Sequence, residues 1–375
     1  MHRLLRLASY AVAFIITLAI ALWATATLFL TGSDHSGFDL PRPVVMNSRK
    51  ESAAHRAIAN HIAADIAAHS LQSAPDLNTL RAQFDARGRQ WPMRAVPTQV
   101  DAAGVRAEWV MDPAADPNRR VLFIHGGGYS MGSPASHRPI TARLSQITRS
   151  AVLAIDYRLL PEHARTDGIE DCWTAYRWMI DNGPAGQAPA RALFVVGDSA
   201  GGNLALVTIA RARDEHARAA DAVVVLSPQT DTTLASPSLV GNASTDIVQR
   251  EGLGPLVGAP KAMSLWMLYW IYGINPRSPL VSPLRGNLSN LPPTLLQVSA
   301  TEMFFDDVVR YANKARAQGS VAVLQTWPHT MHVWQAFAVP EADEAFEAIR
   351  KFVQLHTPAN SRATTSSGAG TTVTP

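Results

Sequence analysis

RALFVVGDSAGGNLALVTIARARDEH, residues 191–216, passes from a β-branched and aromatic run through glycines into a stretch with helical composition. It reads as a strand, a sharp turn and a helix, with Ser199 at the turn. Gly197, Gly201 and Gly202 suit that turn, since a residue held on strained backbone leaves no room for a Cβ beside it. Gly197, Asp198 and Gly201 are therefore motif residues, and Ser199 is expected to stand clear of the sheet edge as a nucleophile.

RRVLFIHGGGYSMGS, residues 119–133, repeats the pattern of a buried apolar run ending in glycines. His125 and Gly126 open this loop. The N–H groups of Gly127 and Gly128 are free to converge on a developing oxyanion, and the N–H of Ala200, beside the serine, supplies a third donor. A phosphate-binding loop is disfavoured because GxxxxGK[ST] and a registered G-x-G-x-x-G are both absent.

A serine hydroxyl needs a base, and the base an orienting acid. LPPTLLQVSATEMFFDD at 291–307 reads as a strand followed by acidic residues, and VAVLQTWPHTMHVW at 321–334 as a strand followed by two histidines. His332 is the expected base, with His329 its competitor. Glu302, nearest its strand end, is the expected acid; Asp306 is the alternative, and it and Asp307 fall on the first turn of the next helix. The order serine, acid, histidine is that of an α/β-hydrolase sheet.

HGGG, GDSAGG, DYRLLPEH at 156–163 and W-P-x-x-x-H-V-W at 327–334 together resemble the hormone-sensitive-lipase-like bacterial α/β-hydrolases, the fold-3 carboxylesterases and lactone hydrolases, over residues 90–355. The resemblance implies an α/β fold with a mostly parallel sheet, helices on both faces and a helical cap. It implies Ser199 as nucleophile, His332 as base, Gly127, Gly128 and Ala200 as oxyanion donors, and His125 as a structural residue of the oxyanion loop. Acid segments in relatives read D-E-x-L-x-D-D or D-P-L-x-D; Thr301 departs from the first form, whereas Glu302 stands where the second has its acid. Asp156, Arg158 and Glu162 are expected to form a structural ionic cluster beneath the catalytic loops. The resemblance also implies pairing into a homodimer.

The function expected is a serine carboxylic-ester hydrolase acting on small to medium acyl esters or lactones, with an amidase or deacetylase using the same triad as the rival and a non-catalytic binding module as the more distant one. No metal or other cofactor is expected: the histidines are scattered, H-E-x-x-H is absent, and Cys172 is the sole cysteine. The formal charge is only +3 and the arginines are dispersed, which argues against a nucleic-acid partner.

LASYAVAFIITLAIALWATATLFL at 7–30 is uncharged and long enough to cross a bilayer as a helix, with Arg3 and Arg6 before it. ATA at 24–26 resembles a signal-peptide cleavage site, but the apolar run continues past it, so a retained signal anchor with the catalytic domain on the extracytoplasmic side is preferred; cleavage would instead give a secreted or periplasmic protein. The organisation expected is a cytoplasmic 1–6, an anchor 7–30, a linker 31–50, a helical cap segment 51–90 and a catalytic domain 91–356. A cap insertion around 232–290 interrupts that domain, and a polar, disordered tail covers 357–375. Within the insertion, Met263, Trp266, Met267 and Trp270 recur every three or four residues. With Tyr129 they are candidates for the substrate pocket; core packing and a membrane-facing patch remain open for the insertion helix.

Overall fold

The computed structural model describes residues 2–42, 50–70, 76–94 and 96–358. Part of the 31–50 linker, the end of the helix expected over 51–73 and the tail from 359 onward lie outside the described residues. Three helices come first: α1 (His2–Phe29), α2 (Ala53–Ser70) and α3 (Leu77–Arg89). Next come β1 (Thr98–Asp101), β2 (Arg106–Val110), β3 (Asp116–Ile124), α4 (Arg138–Thr148), β4 (Ser150–Ile155), α5 (Arg165–Asp181), β5 (Ala192–Asp198), α6 (Ser199–Asp214) and β6 (Ala222–Leu226). The insertion carries α7 (Ser238–Gly241), α8 (Gln249–Gly258) and α9 (Lys261–Tyr272). The chain then returns through β7 (Thr294–Ser299), α10 (Phe305–Ala317), β8 (Ala322–Trp327) and α11 (Pro340–His356).

Eight strands form one sheet in the order β1-β2-β4-β3-β5-β6-β7-β8. β2 is antiparallel to both its neighbours, and every pairing from β4 to β8 is parallel. Parallel strands are covered on both faces, so their sequences are continuous apolar runs rather than alternating ones. The side chains nonetheless divide by the period of two. Leu122, Ile124, Leu193 and Val195 pack with Ile169, Cys172, Tyr176 and Leu204 from α5 and α6, whereas Val121, Phe123, Phe194 and Val196 pack with Ile140, Leu144, Phe346 and Ile349 from α4 and α11. Cys172 is buried on the first of these faces.

β3, β5, β6, β7 and β8 are consecutive neighbours, so the loops leaving their carboxyl ends line one edge of the sheet, where open α/β sheets place their sites. The N-terminal helices lie against two of those loops. Ile58, Ala59 and Ile62 of α2 pack on Trp327, Met331 and Trp334, and His55 Nε2 accepts the Met331 N–H at 3.0 Å. Phe84 of α3 meets His137 edge-on at 5.3 Å, and Gly88 lies so close to the 135–136 backbone that a Cβ there would come 2.1 Å from the Ala135 carbonyl.

Candidate active site

The turn from β5 into α6 puts Ser199 at φ +51°, in the left-handed region where an L-residue is strained. The surrounding backbone is packed so closely that only hydrogen fits beside the serine. A Cβ on Gly197 would lie 2.4 Å from the Gly201 carbonyl, and one on Gly201 2.0 Å from that of Ile124. The strand, the elbow and the neighbouring β3 thus lock one another.

The loop after β3 is bound to this elbow by Asp198, whose Oδ1 accepts the Gly126 N–H at 3.1 Å while Oδ2 lies 3.3 Å from His137 Nε2. His125 stacks on Tyr157 at 4.3 Å between ring centroids, and the Tyr157 hydroxyl donates to the His125 carbonyl at 2.9 Å. Burial, helped by His137, lowers the His125 pKa to about 3, so its ring is neutral and belongs to the frame of the loop. Gly127 and Gly128 have φ of +115° and +61°, and among the described residues neither N–H donates to another group. Those two donors are available to a ligand.

Ser199 Oγ lies 2.8 Å from His332 Nε2, and His332 Nδ1 lies 2.6 Å from Glu302 Oε2. All three side chains are buried. The other Glu302 oxygen accepts the Ser299 N–H at 2.7 Å and the Ser227 hydroxyl at 2.8 Å. Burial raises the Glu302 pKa above the ordinary carboxylate value, against the pull of His332. For His332 the largest influence, burial, acts downward; the Glu302 charge and hydrogen bond, with Asp246 and Asp198 behind them, outweigh it and raise its pKa.

Asp306 is held elsewhere. Its Oδ2 accepts the Ser238 N–H at 2.8 Å and its Oδ1 pairs with Arg42. His329 is exposed, whereas His332, three residues on, is buried against the serine. Asp156, Arg158 and Glu162 do not form the mutual cluster expected of them. Arg106, Asp171 and Arg81 respectively are their partners, each at 2.8 Å, because the charges that answer them come from β2, α5 and α3. They line a cavity of about 670 Å³ with Tyr157 and Leu159, and its lining does not include Ser199, Glu302 or His332.

The expected pocket residues are also relocated. Met263, Met267 and Trp270 stand exposed on α9, while Trp266 turns to α1 and donates from Nε1 to the Leu22 carbonyl at 3.0 Å. Spacing marked the face without saying what it faces. Tyr129 is buried, with its hydroxyl donating to Gln229 at 3.1 Å and the Arg165 guanidinium 3.9 Å from its ring centre, so it packs behind the glycine loop.

Three residues that sequence reasoning passed over contact the site. Ser227, immediately after β6, bridges Glu302 and the Val333 N–H. Asp246 caps α8 through the Val248 and Gln249 N–H groups and also accepts the Met303 N–H. Gln249 places its side-chain amide nitrogen 2.8 Å from His332 Nε2, the atom that also faces Ser199. Only the position of Ser227 at a strand end could have signalled its part.

A serine elbow after β5, an acid after β7 and a histidine loop after β8, all at the carboxyl ends of one run of parallel strands, define an α/β-hydrolase. The chain belongs to that family: residues 121–336 match its model, described as alpha/beta hydrolase fold. It is 33% identical over 253 residues to an acetyl-hydrolase of Streptomyces hygroscopicus, covering 67% of this chain and 80% of the relative. A match to the carboxylesterase/phospholipase LipF of Mycobacterium tuberculosis is also 33% identical, over 262 residues, and covers 68% of this chain and 65% of LipF. Among solved structures, an esterase of the bacterial hormone-sensitive lipase family superposes with a TM-score of 0.71 at 29% identity, covering 83% of this chain and all of that one.

Proposed function

We propose that this protein is a serine carboxylic-ester hydrolase that cleaves small to medium acyl esters or lactones through an acyl-enzyme. The observation that carries the reading is the unbroken line from Ser199 Oγ through His332 to Glu302, with contacts of 2.8 and 2.6 Å. The named esterase relatives support the same chemistry. His332 Nε2 takes the hydroxyl proton as Ser199 Oγ attacks the ester carbonyl, while the N–H groups of Gly127, Gly128 and Ala200 donate to the tetrahedral oxygen. The C–O bond breaks and the alkoxide leaves with the proton from His332. Water then gives its proton to the same nitrogen and attacks the acyl carbon, and Ser199 regains a proton as the acid departs. Glu302 holds the Nδ1–H tautomer and stabilises the imidazolium in both halves. Hydrolysis of a panel of acyl esters and lactones of graded chain length, with S199A as control, tests this. Turnover that survives in S199A would overturn it.

α1 reads as a retained membrane anchor with the catalytic domain on the extracytoplasmic side. Its segment Leu5–Phe29 has a mean hydropathy of 2.3 and is almost wholly exposed. At 1.5 Å per residue it is about 37 Å long, enough to span a hydrocarbon core. Arg3 and Arg6 precede it, which favours a cytoplasmic N-terminus. Retention is supported by the tie between the helix end and the catalytic domain: Asn275 Nδ2 donates to the Phe29 carbonyl at 2.8 Å, and Arg285 Nη1 to that of Ser33 at 2.9 Å. The intact mass of the protein from membranes checks it, since cleavage near residue 26 would remove the span.

A further inference from the structure

We infer that α9 is a second membrane contact, lying in the interfacial layer of the bilayer that α1 crosses, with Met263, Met267 and Trp270 directed among the lipid acyl chains. The inference rests on the reading of α1 as a retained span. It begins with how α9 meets that helix. Ala262, Leu265 and Trp266 pack against Ala26 and Leu30, and Trp266 Nε1 reaches the Leu22 carbonyl, inside the apolar segment. Leu22 lies seven residues before Phe29, about 10 Å along the helix axis. A helix fastened there is held at the depth of the lipid interface and not above it.

Among the described residues, nothing covers the side of α9 that carries Met263, Met267 and Trp270. Met263 is 58% exposed, Trp270 87% and Ile271 49%, with Met267 also open. Between Lys261 and Arg277 the sequence carries no charge. Trp23, Leu28 and Phe29 of α1 are exposed as well, so the apolar surface of the span continues onto α9. At 12 residues α9 is too short to cross a bilayer, whereas an apolar helix with tryptophan and tyrosine suits the boundary between acyl chains and headgroups. Arg277 Nη1 donates to the Leu28 carbonyl, which brings a cation to the end of the span, where headgroup phosphates lie. This continuity with the span is what selects lipid over a protein partner.

The test uses the full-length protein in vesicles of phosphatidylcholine and phosphatidylglycerol, spin-labelled at one introduced cysteine, W270C, M263C, F14C or V321C. Cys172 is buried and stays unlabelled. Labels at W270C and M263C should show a higher oxygen-to-nickel-chelate accessibility ratio than the label at V321C, which is exposed just before the edge strand β8, and a lower one than the label at F14C, within the span. A water-like ratio at W270C and M263C alongside a lipid-like ratio at F14C overturns the inference and leaves the anchor intact. A water-like ratio at F14C overturns the anchor itself, and the inference with it. Exclusion of both probes at W270C with dipolar broadening between labels would assign the face to a second copy of the chain, and would also overturn it.

Discussion

Replacing Glu302 by glutamine should disable the site without unfolding the protein, for a reason set by one backbone donor. The Ser299 N–H, 2.7 Å from Glu302 Oε1, can only donate. In E302Q the amide oxygen must therefore stay on Ser299, which turns the NH₂ toward His332 Nδ1. The ring is then forced to accept at Nδ1 and to carry its proton at Nε2, 2.8 Å from Ser199, where it cannot take the hydroxyl proton. The equivalent exchange in a serine-protease triad lowers kcat about 10⁴-fold, or roughly 5 kcal/mol at 1.36 kcal/mol per tenfold. A loss of that order is expected here. A second effect concerns pH: with Glu302 present the His332 pKa is raised above 6.5, and the neutral ring is the active form, so the acid limb of kcat/KM lies above 6.5. Without the carboxylate, burial prevails and moves the limb of any residual activity downward. The assay is the pH profile of hydrolysis of a soluble acyl ester, corrected with S199A, together with thermal melting. Retention of activity within about tenfold of the parent would refute the tautomer argument; an unmoved acid limb would refute the charge argument.

D306N should leave kcat within a few fold, because its contacts are with Ser238 and Arg42, and should lower stability by about 1 kcal/mol, read by chemical denaturation. G201A should yield no soluble enzyme, since its Cβ would lie 2.0 Å from the Ile124 carbonyl and 2.4 Å from that of His125. G128A has open space around its Cβ and only the strain of φ +61°, so it should fold with a loss of about 1–2 kcal/mol in a thermal melt. Q249A should raise kcat/KM on a small ester by up to about fivefold, the worth of one hydrogen bond of about 1 kcal/mol. A fall of more than about tenfold would instead make Gln249 a substrate-binding residue.

Much of this molecule is legible in the sequence because its strands are covered on both faces. FVVG and VLFI read as buried strands from composition alone, and glycines placed the turn after each. Glu302 was picked out by its nearness to a strand end, and β7 does end at Ser299, three residues before it. What the chain does not display is partnership across space. Asp156, Arg158 and Glu162 lie close together in sequence, yet their counter-ions arrive from three other elements. The stripe on α9 has the spacing of a helix face whether it meets core, substrate or lipid, and only the placement of α1 distinguishes these. Gln249 carries no cue, since nothing about a glutamine in IVQREG indicates that α8 will begin beside the histidine.

The position of Gln249 also bears on how the site opens. A neutral His332 with its Nδ1–H on Glu302 has one in-plane lone pair at Nε2, and the amide of Gln249 and the hydroxyl of Ser199 compete for it. The segment just before Gln249 is fixed to the acid turn: Asn242 Nδ2 donates to the carbonyls of Ala300 and Glu302, and Thr245 Oγ1 to that of Thr301. Shifting the whole insertion would drag Glu302 with it and break the line to the serine. α8 is different. Its sequence, QREGLGPLVG, holds three glycines and a proline, and no residue of the helix is buried. Relative to alanine these residues weaken a helix interior by about 1 kcal/mol per glycine and about 3 for the proline. A substrate that displaces Gln249 therefore has to rearrange only the first turn of a weak helix, while the acid, the base and the serine keep their distances.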